Sequence, residues 1–166
     1  MILTFWSRSK NVDHRFLSNF EEIKGGLRLP DDFFIPALRE KNFPSVENAF
    51  QACKYTYSDK AVPRFLEECT PKQAKSMGSK TGMKKVNAVL DVSAWNAHSF
   101  ECMTQLARVR YRQDQRFRTI IDNAARSGKK FYHLETRGPK VWGACVRDGV
   151  WIGQNKLGKI FNSLTE

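Results

Sequence analysis

Apolar and polar positions follow two different periods along this chain, and the switches between the periods mark out its elements. The clearest helical stretch follows Phe43-Pro44-Ser45. Pro44 disfavours helix at Phe43 and Ser45 is a good N-cap, so a helix is predicted to begin at Val46. From there Val46, Ala49, Phe50 and Cys53 fall at i, i+3, i+4 and i+7 and form a buried stripe, while Glu47, Gln51 and Lys54 share another face. Ser58 or Asp59 is a cap for a second helix reaching about Cys69, with Pro63 tolerable only in its first turn. Thr70-Pro71-Lys72-Gln73 supplies a cap, a first-turn proline and a capping-box glutamine for a third helix, which Gly78 stops. A longer helix is predicted from about Ser93 to Arg112, its stripe made by Trp95, Cys102, Leu106 and Val109. Another follows Asp114, where Phe117, Ile120, Ile121 and Ala124 keep the spacing until Gly128. Asn155 is read as the cap of a last helix that turns Leu157, Ile160, Phe161 and Leu164 to the core.

The shorter period lies toward the ends. Ile2 to Trp6 alternates weakly, and Leu27 to Leu29 and Phe33 to Ile35 are short apolar pieces separated by the turn signals Gly25-Gly26 and Pro30-Asp31-Asp32. Lys130 to Leu134 and Val141 to Val146 read as strands, and Asp148-Gly149 is a type I′ hairpin signal leading into Val150 to Ile152. No repeat, low-complexity segment or long linker interrupts this order.

Composition narrows the class. With 166 residues and 41% hydrophobic content, the chain suits one domain, residues 1–166, with a real core. No apolar run approaches a membrane span and Met1 to Phe20 lacks the features of a signal peptide, so a cytoplasmic protein with no membrane partner is expected. Cys53, Cys69, Cys102 and Cys145 are far apart within apolar patterns, which argues for reduced, buried thiols rather than a metal knuckle or a disulfide framework. No metal-ligand constellation and no cofactor motif is visible. The net charge of +11 creates a field that attracts phosphates, on nucleotides, nucleic acids or acidic surfaces, without saying which.

Several short motifs in fixed order then carry a resemblance. Phe16-Leu17-Ser18-Asn19-Phe20 is similar to an FxSNF element, and the run from Phe43 to Lys54 is similar to a (Y/F)PSVEHAFQAxK element. Ala74-Lys75-Ser76-Met77-Gly78 resembles an AKxxG segment followed by a tryptophan, here Trp95. Trp142-Gly143 and Gly153-Gln154-Asn155-Lys156-Leu157-Gly158-Lys159 resemble closing WG and GxNxLGK elements. Together, over about Phe16 to Leu164, the chain resembles the NADAR or YbiA-like N-glycosidase family. The resemblance implies an α+β fold, with several helices packed around a small, mostly antiparallel sheet. It also implies metal-independent, cofactor-free hydrolysis of an N-glycosidic bond in a phosphorylated ribosylamino heterocycle of the riboflavin biosynthesis intermediate class. Removal of ADP-ribose from modified guanine in nucleic acid is the alternative substrate class. The implied partner is thus a phosphorylated ribosyl or ADP-ribosyl small molecule, with nucleic acid as a further one.

Glu47 is the catalytic candidate. Cleaving a C1′–N bond builds positive charge on the sugar, and a nearby carboxylate can stabilise it or activate water. Taken alone, a glutamate at the second helical position is a partner of the helix dipole, and exposed amides at that helix start could also assist a phosphate. Gln51 and Lys54, one and two turns on, are candidates for ribose hydroxyls or phosphate, with ordinary surface placement the competing reading. Trp95 can stack on a flat heterocycle or anchor the core. Trp142 carries the same ambiguity, with Gly143 permitting close backbone approach. Asn19 can orient substrate or satisfy local backbone. Asn155, Lys156 and Lys159, at the start of the last helix, complete the substrate-binding candidates.

Two departures from the family pattern bear on mechanism. The segment Glu135-Thr136-Arg137-Gly138-Pro139-Lys140-Val141-Trp142 lacks the aspartate of SPxDxxWG, leaving Glu135 or Asp148 as replacement carboxylates, or a changed substrate. Asn48 stands where the family has histidine, and His14, His98 and His133 are scattered. A non-catalytic nucleotide or nucleic-acid binding module is therefore the reading from another class.

Overall fold

A computed structural model describes residues 1–137 and 140–166, so Gly138 and Pro139 of the segment before Trp142 lie outside the described residues. Along the chain come β1 (Ile2–Phe5), α1 (Val12–Phe16), β2 (Leu27–Arg28), β3 (Asn42–Phe43), α2 (Val46–Tyr55), α3 (Pro71–Met77) and α4 (Lys80–Lys85). There follow α5 (Val92–Gln113), α6 (Gln115–Arg126), β4 (Lys130–His133), β5 (Cys145–Arg147), β6 (Val150–Ile152) and α7 (Lys156–Ser163). The fold is α+β. Its strands form three separate two-stranded ladders among the described residues: β1 with β4 in parallel, and β2 with β3 and β5 with β6 antiparallel. The packing divides into two compact units, one of residues 19–113 and one of residues 1–18 with 114–166.

The unit of residues 19–113 is built on α2. Ser45 caps it as the sequence predicts, its hydroxyl accepting from Asn48 N, and the stripe of Val46, Ala49, Phe50 and Cys53 is buried. The opposite face is buried as well, because α3 and α5 both pack on α2. Asn48, fully enclosed, spends its amide on the chain beyond: Nδ2 donates to Leu66 O at 3.0 Å and Cys69 O at 2.8 Å, and Oδ1 accepts from Ser45 Oγ at 2.6 Å.

The helix predicted from Ser58 or Asp59 to Cys69 is absent, replaced by one 3-10 turn, Arg64–Glu67, with Pro63 before it. Asp59 does not cap its own segment: its carboxylate accepts from Val89 N at 2.8 Å. α3 follows prediction with Thr70 and Gln73 as its capping box, whereas α4 carries too short and polar a pattern to be read beforehand. Phe33 to Ile35 is a turn leading into a 3-10 helix at Pro36–Leu38, not a strand, because Phe33 N closes on Pro30 O.

The other unit is organised by β4. β1 pairs with one edge of it, from Ile2 opposite Lys130 to Phe5 opposite His133. The other edge is filled by side chains. Phe131 N donates to Asn162 Oδ1, His133 N donates to Asn155 Oδ1, and Asn155 Nδ2 donates to Phe131 O, each near 3 Å. This stands in for a third strand and leaves the edge closed to further pairing. Gly158 makes it possible, since a Cβ there would come within 2.3 Å of Phe131 O. Phe5, Phe117, Phe131 and Phe161 pack as stacked and edge-on pairs between the ladder and helices α6 and α7.

The strand expected over Val141 to Val146 begins only at Cys145. The carbonyls of Lys140, Val141, Trp142 and Gly143 instead accept from Gln154 N, Lys156 N, Leu157 N and Asn155 N, so this stretch caps α7. Asn155 accordingly precedes α7 in the left-handed region, at φ 48°, without capping it through its side chain. The hairpin turn at Asp148-Gly149 has both residues at positive φ, as a type I′ turn requires. Cys53, Cys69 and Cys102 are buried free thiols and Cys145 is a half-buried one.

Candidate functional site

The face of α2 that bears Glu47 is held in place from both ends. At the start, Glu47 N donates to Asn19 O at 3.0 Å and Asn48 N to Ser45 Oγ at 3.1 Å. Two of the first three helix amides are thereby engaged, and Val46 is enclosed, so the sequence expectation of exposed amides free to assist a phosphate is corrected. Asn19 contributes this backbone carbonyl, while its side-chain amide lies against Met103 Sδ at 3.4 Å.

One turn on, Gln51 Nε2 donates to Glu47 Oε1 at 2.8 Å. Both side chains are 7% exposed, so the glutamate is not the surface partner of the helix dipole that its position alone suggested. Gln51 lies against Gly78, the C-cap of α3: a Cβ at residue 78 would fall 1.7 Å from Gln51 Oε1. That Oε1 is buried and has no hydrogen-bond partner, which leaves the amide fixed by packing on one side and by Glu47 on the other. A second turn on, Lys54 Nζ donates to Gly78 O at 2.6 Å and Tyr55 Oη to Met77 O at 2.9 Å. The end of α3 thus finds its donors on α2, and the cation also complements the helix dipole.

The electrostatics follow from this enclosure. Burial pushes the Glu47 carboxyl above the usual carboxylate range, against the opposing effects of the Gln51 hydrogen bond and the charges of Lys75 and Lys54. Burial likewise lowers the Lys54 ammonium, and Glu47 opposes that shift. Lys75, part of the AKxxG segment but not singled out for a role by sequence, completes the ring of charge; its ammonium also sits 5.4 Å over the Phe20 ring. A carboxylate so placed can ionise with two cations in reach and still regain a proton readily, which is what proton transfer during bond cleavage asks of it.

Trp95, on α5, is 8% exposed and packs with Phe50 at 5.0 Å and Tyr57 at 5.7 Å between ring centroids. It anchors an aromatic cluster between α2 and α5, the core reading of the two that sequence left open. The remaining binding candidates belong to the other unit. There Trp142 is half-buried, Gly143 N donates to Glu135 Oε2 at 2.9 Å, Asn155 is engaged with β4, Lys156 is half-buried and Lys159 is exposed. Because the α7 amides are capped by residues 140–143, the WG and GxNxLGK elements form one backbone lattice. Of the two replacement carboxylates, Glu135 is tied to Gly143 and Asp148 stands exposed in the hairpin turn.

Among the described residues no group of three or more His, Cys, Asp and Glu is arranged to hold a metal ion, and no helix is long and apolar enough to cross a membrane.

Comparison with solved structures gives a fold match to the NMR structure of the E. coli protein YbiA, with a TM-score of 0.69 at 22% sequence identity, covering 99% of this chain and 82% of that one. No curated protein matches the sequence. The family model of the NADAR domain matches residues 4–166, nearly the whole chain, and with that match the protein belongs to the NADAR domain family.

Proposed function

We propose that this protein hydrolyses the N-glycosidic bond of a phosphorylated ribosylamino heterocycle, the class to which intermediates of riboflavin biosynthesis belong, with Glu47 as the key carboxylate. The observation that carries the reading is a buried glutamate, oriented by Gln51 and flanked by Lys54 and Lys75. In this reaction the C1′–N bond breaks and positive charge gathers on C1′ and the ring oxygen. Ionised Glu47 opposes that charge and draws the proton from an incoming water, whose oxygen bonds to C1′. The proton that Glu47 gains returns to solvent, and the departing nitrogen takes one in exchange. Gln51 acts by holding the carboxylate in a single orientation, a contribution to preorganisation rather than to proton transfer.

A second reading, release of ADP-ribose from modified guanine in nucleic acid, is favoured by the net charge of +11, which suits a polyanionic substrate. One experiment separates the two. Wild type and Glu47→Gln are incubated with riboflavin-pathway intermediates and with an ADP-ribosylated guanine oligonucleotide, in EDTA, and products are separated by chromatography with mass detection. Ribose 5-phosphate released by wild type alone supports the first reading, and ADP-ribose released by wild type alone supports the second. Equal ligand binding without turnover by either folded protein would replace both with a binding module.

A further inference from the structure

Beyond Lys54, on the side of α2 away from its start, the chain turns through α4 and the segment that leads into α5, and encloses a cavity of about 690 Å³. The volume lies within the roughly 300–1,000 Å³ of small-molecule sites. Three cations line it: Lys54 from α2, and Lys80 and Lys84 from α4. None of the three pairs with a carboxylate among the described residues. Its remaining walls are largely apolar, with Met83, Val89 and Leu90 among them. Val89 is 68% exposed and Val92, also on the lining, 58%. Such valines lose hydration favourably when something covers them.

Like charges gathered around one concavity repel each other, and an anion placed among them removes that repulsion. Apolar walls call for an occupant that is more than a bare ion. We propose that this cavity is a binding site for an organic phosphate, with the phosphate held by Lys54, Lys80 and Lys84 and a ring lying on Met83, Val89 and Leu90. Concavity favours a small molecule over a nucleic-acid backbone, which tracks a groove rather than filling a pocket. Lys54 joins the site to the carboxylate, since it lines the cavity and also feels the charge of Glu47. The site then holds the phosphate of the substrate itself, and that last step rests on the glycosidase reading.

The test is calorimetric titration of Glu47→Gln, which holds ligand without turnover, using ribose 5-phosphate, ADP-ribose, ribose and a single-stranded oligonucleotide. The two small phosphates are expected to bind and ribose to fail. Lys80 and Lys84 are exposed, so Lys80→Gln/Lys84→Gln leaves the fold intact and is expected to weaken binding tenfold or more. Val89→Asp, equally exposed, should do the same by placing a negative charge on the wall. Unchanged affinity in these variants overturns the proposal, and so does binding of the oligonucleotide alone. Binding that depends on the lysines, in a protein that turns over no substrate, would sustain the site while removing the glycosidase. Turnover with an unaltered KM in Lys80→Gln/Lys84→Gln would do the reverse.

Discussion

A single methyl group at residue 78 should reach the catalytic candidate without touching it. In Gly78→Ala the new Cβ would lie 1.7 Å from Gln51 Oε1 and 2.5 Å from Gln51 Cδ, so the amide must retreat by well over 1 Å. Its bond to Glu47, now 2.8 Å, tolerates a stretch of only a few tenths of an ångström before it is lost. A hydrogen bond to a charged group is worth about 1.5–3 kcal/mol, and crowding a packed site adds about 1–3 kcal/mol. Residue 78 has φ −84°, an ordinary value, so alanine also stiffens the unfolded chain and returns about 0.4–1 kcal/mol. The net loss is expected at roughly 2–4 kcal/mol, read from urea unfolding with the m-value unchanged. Loss of the Gln51 bond also removes one of the effects that hold the Glu47 carboxyl down, so the acidic limb of the kcat/KM profile should move to higher pH. The decisive control is Gln51→Ala, which leaves nothing for the methyl to strike. There Gly78→Ala should cost little, giving a coupling energy of about 1.5 kcal/mol or more. An equal cost in both backgrounds, or an unmoved pH profile, would refute the mechanism.

Asn48→Ala strips the donors from the carbonyls of Leu66 and Cys69 and the acceptor from Ser45 Oγ, all in an enclosed setting. With each unsatisfied group costing about 1–3 kcal/mol, a loss of about 2–4 kcal/mol is expected, or a Tm lower by roughly 4–16 °C; a change under about 1 kcal/mol would contradict it. Glu47→Gln bears on stability as well as turnover. The folded carboxyl sits above the unfolded value of 4.5, so the native state binds more protons than the unfolded state in the interval between them, and wild-type stability falls as pH rises through it. The glutamine variant has no such group, and its stability relative to wild type should grow from pH 4 to pH 8; urea unfolding that shows the same gap at both pH values would contradict the burial argument.

The helix starts were legible because their determinants are local. Ser45, Thr70 and Asp114 each cap a helix within three residues of themselves, so a short stretch of sequence contains the whole cause. Asp59 misled for the opposite reason: its carboxylate serves an amide thirty residues away, and the helix it was expected to start does not form. Asn155 misled similarly. It was read as a cap and a substrate ligand, yet its amide completes the edge of β4, a task that appears only once α7 lies along the strand. The depth of Glu47 had no sequence signal at all. A charged residue off the apolar stripe reads as exposed, and only the docking of α3, with Gly78 against Gln51, closes that face.

The parallel pairing of β1 with β4 joins Ile2 to Lys130. At synthesis rates of about 5–20 residues per second, residue 2 leaves the ribosome on the order of 6–26 s ahead of its partner. Through that interval Ile-Leu-Thr-Phe is an apolar strand with two open edges, the kind of segment that recruits a chaperone or a neighbouring chain. Residues 19–113, being continuous, are released as a set and can close around α2 while the ribosome still holds the tail. Topology thus writes a birth order into the molecule, in which the carboxylate is seated early and the first residues made are among the last to find their place.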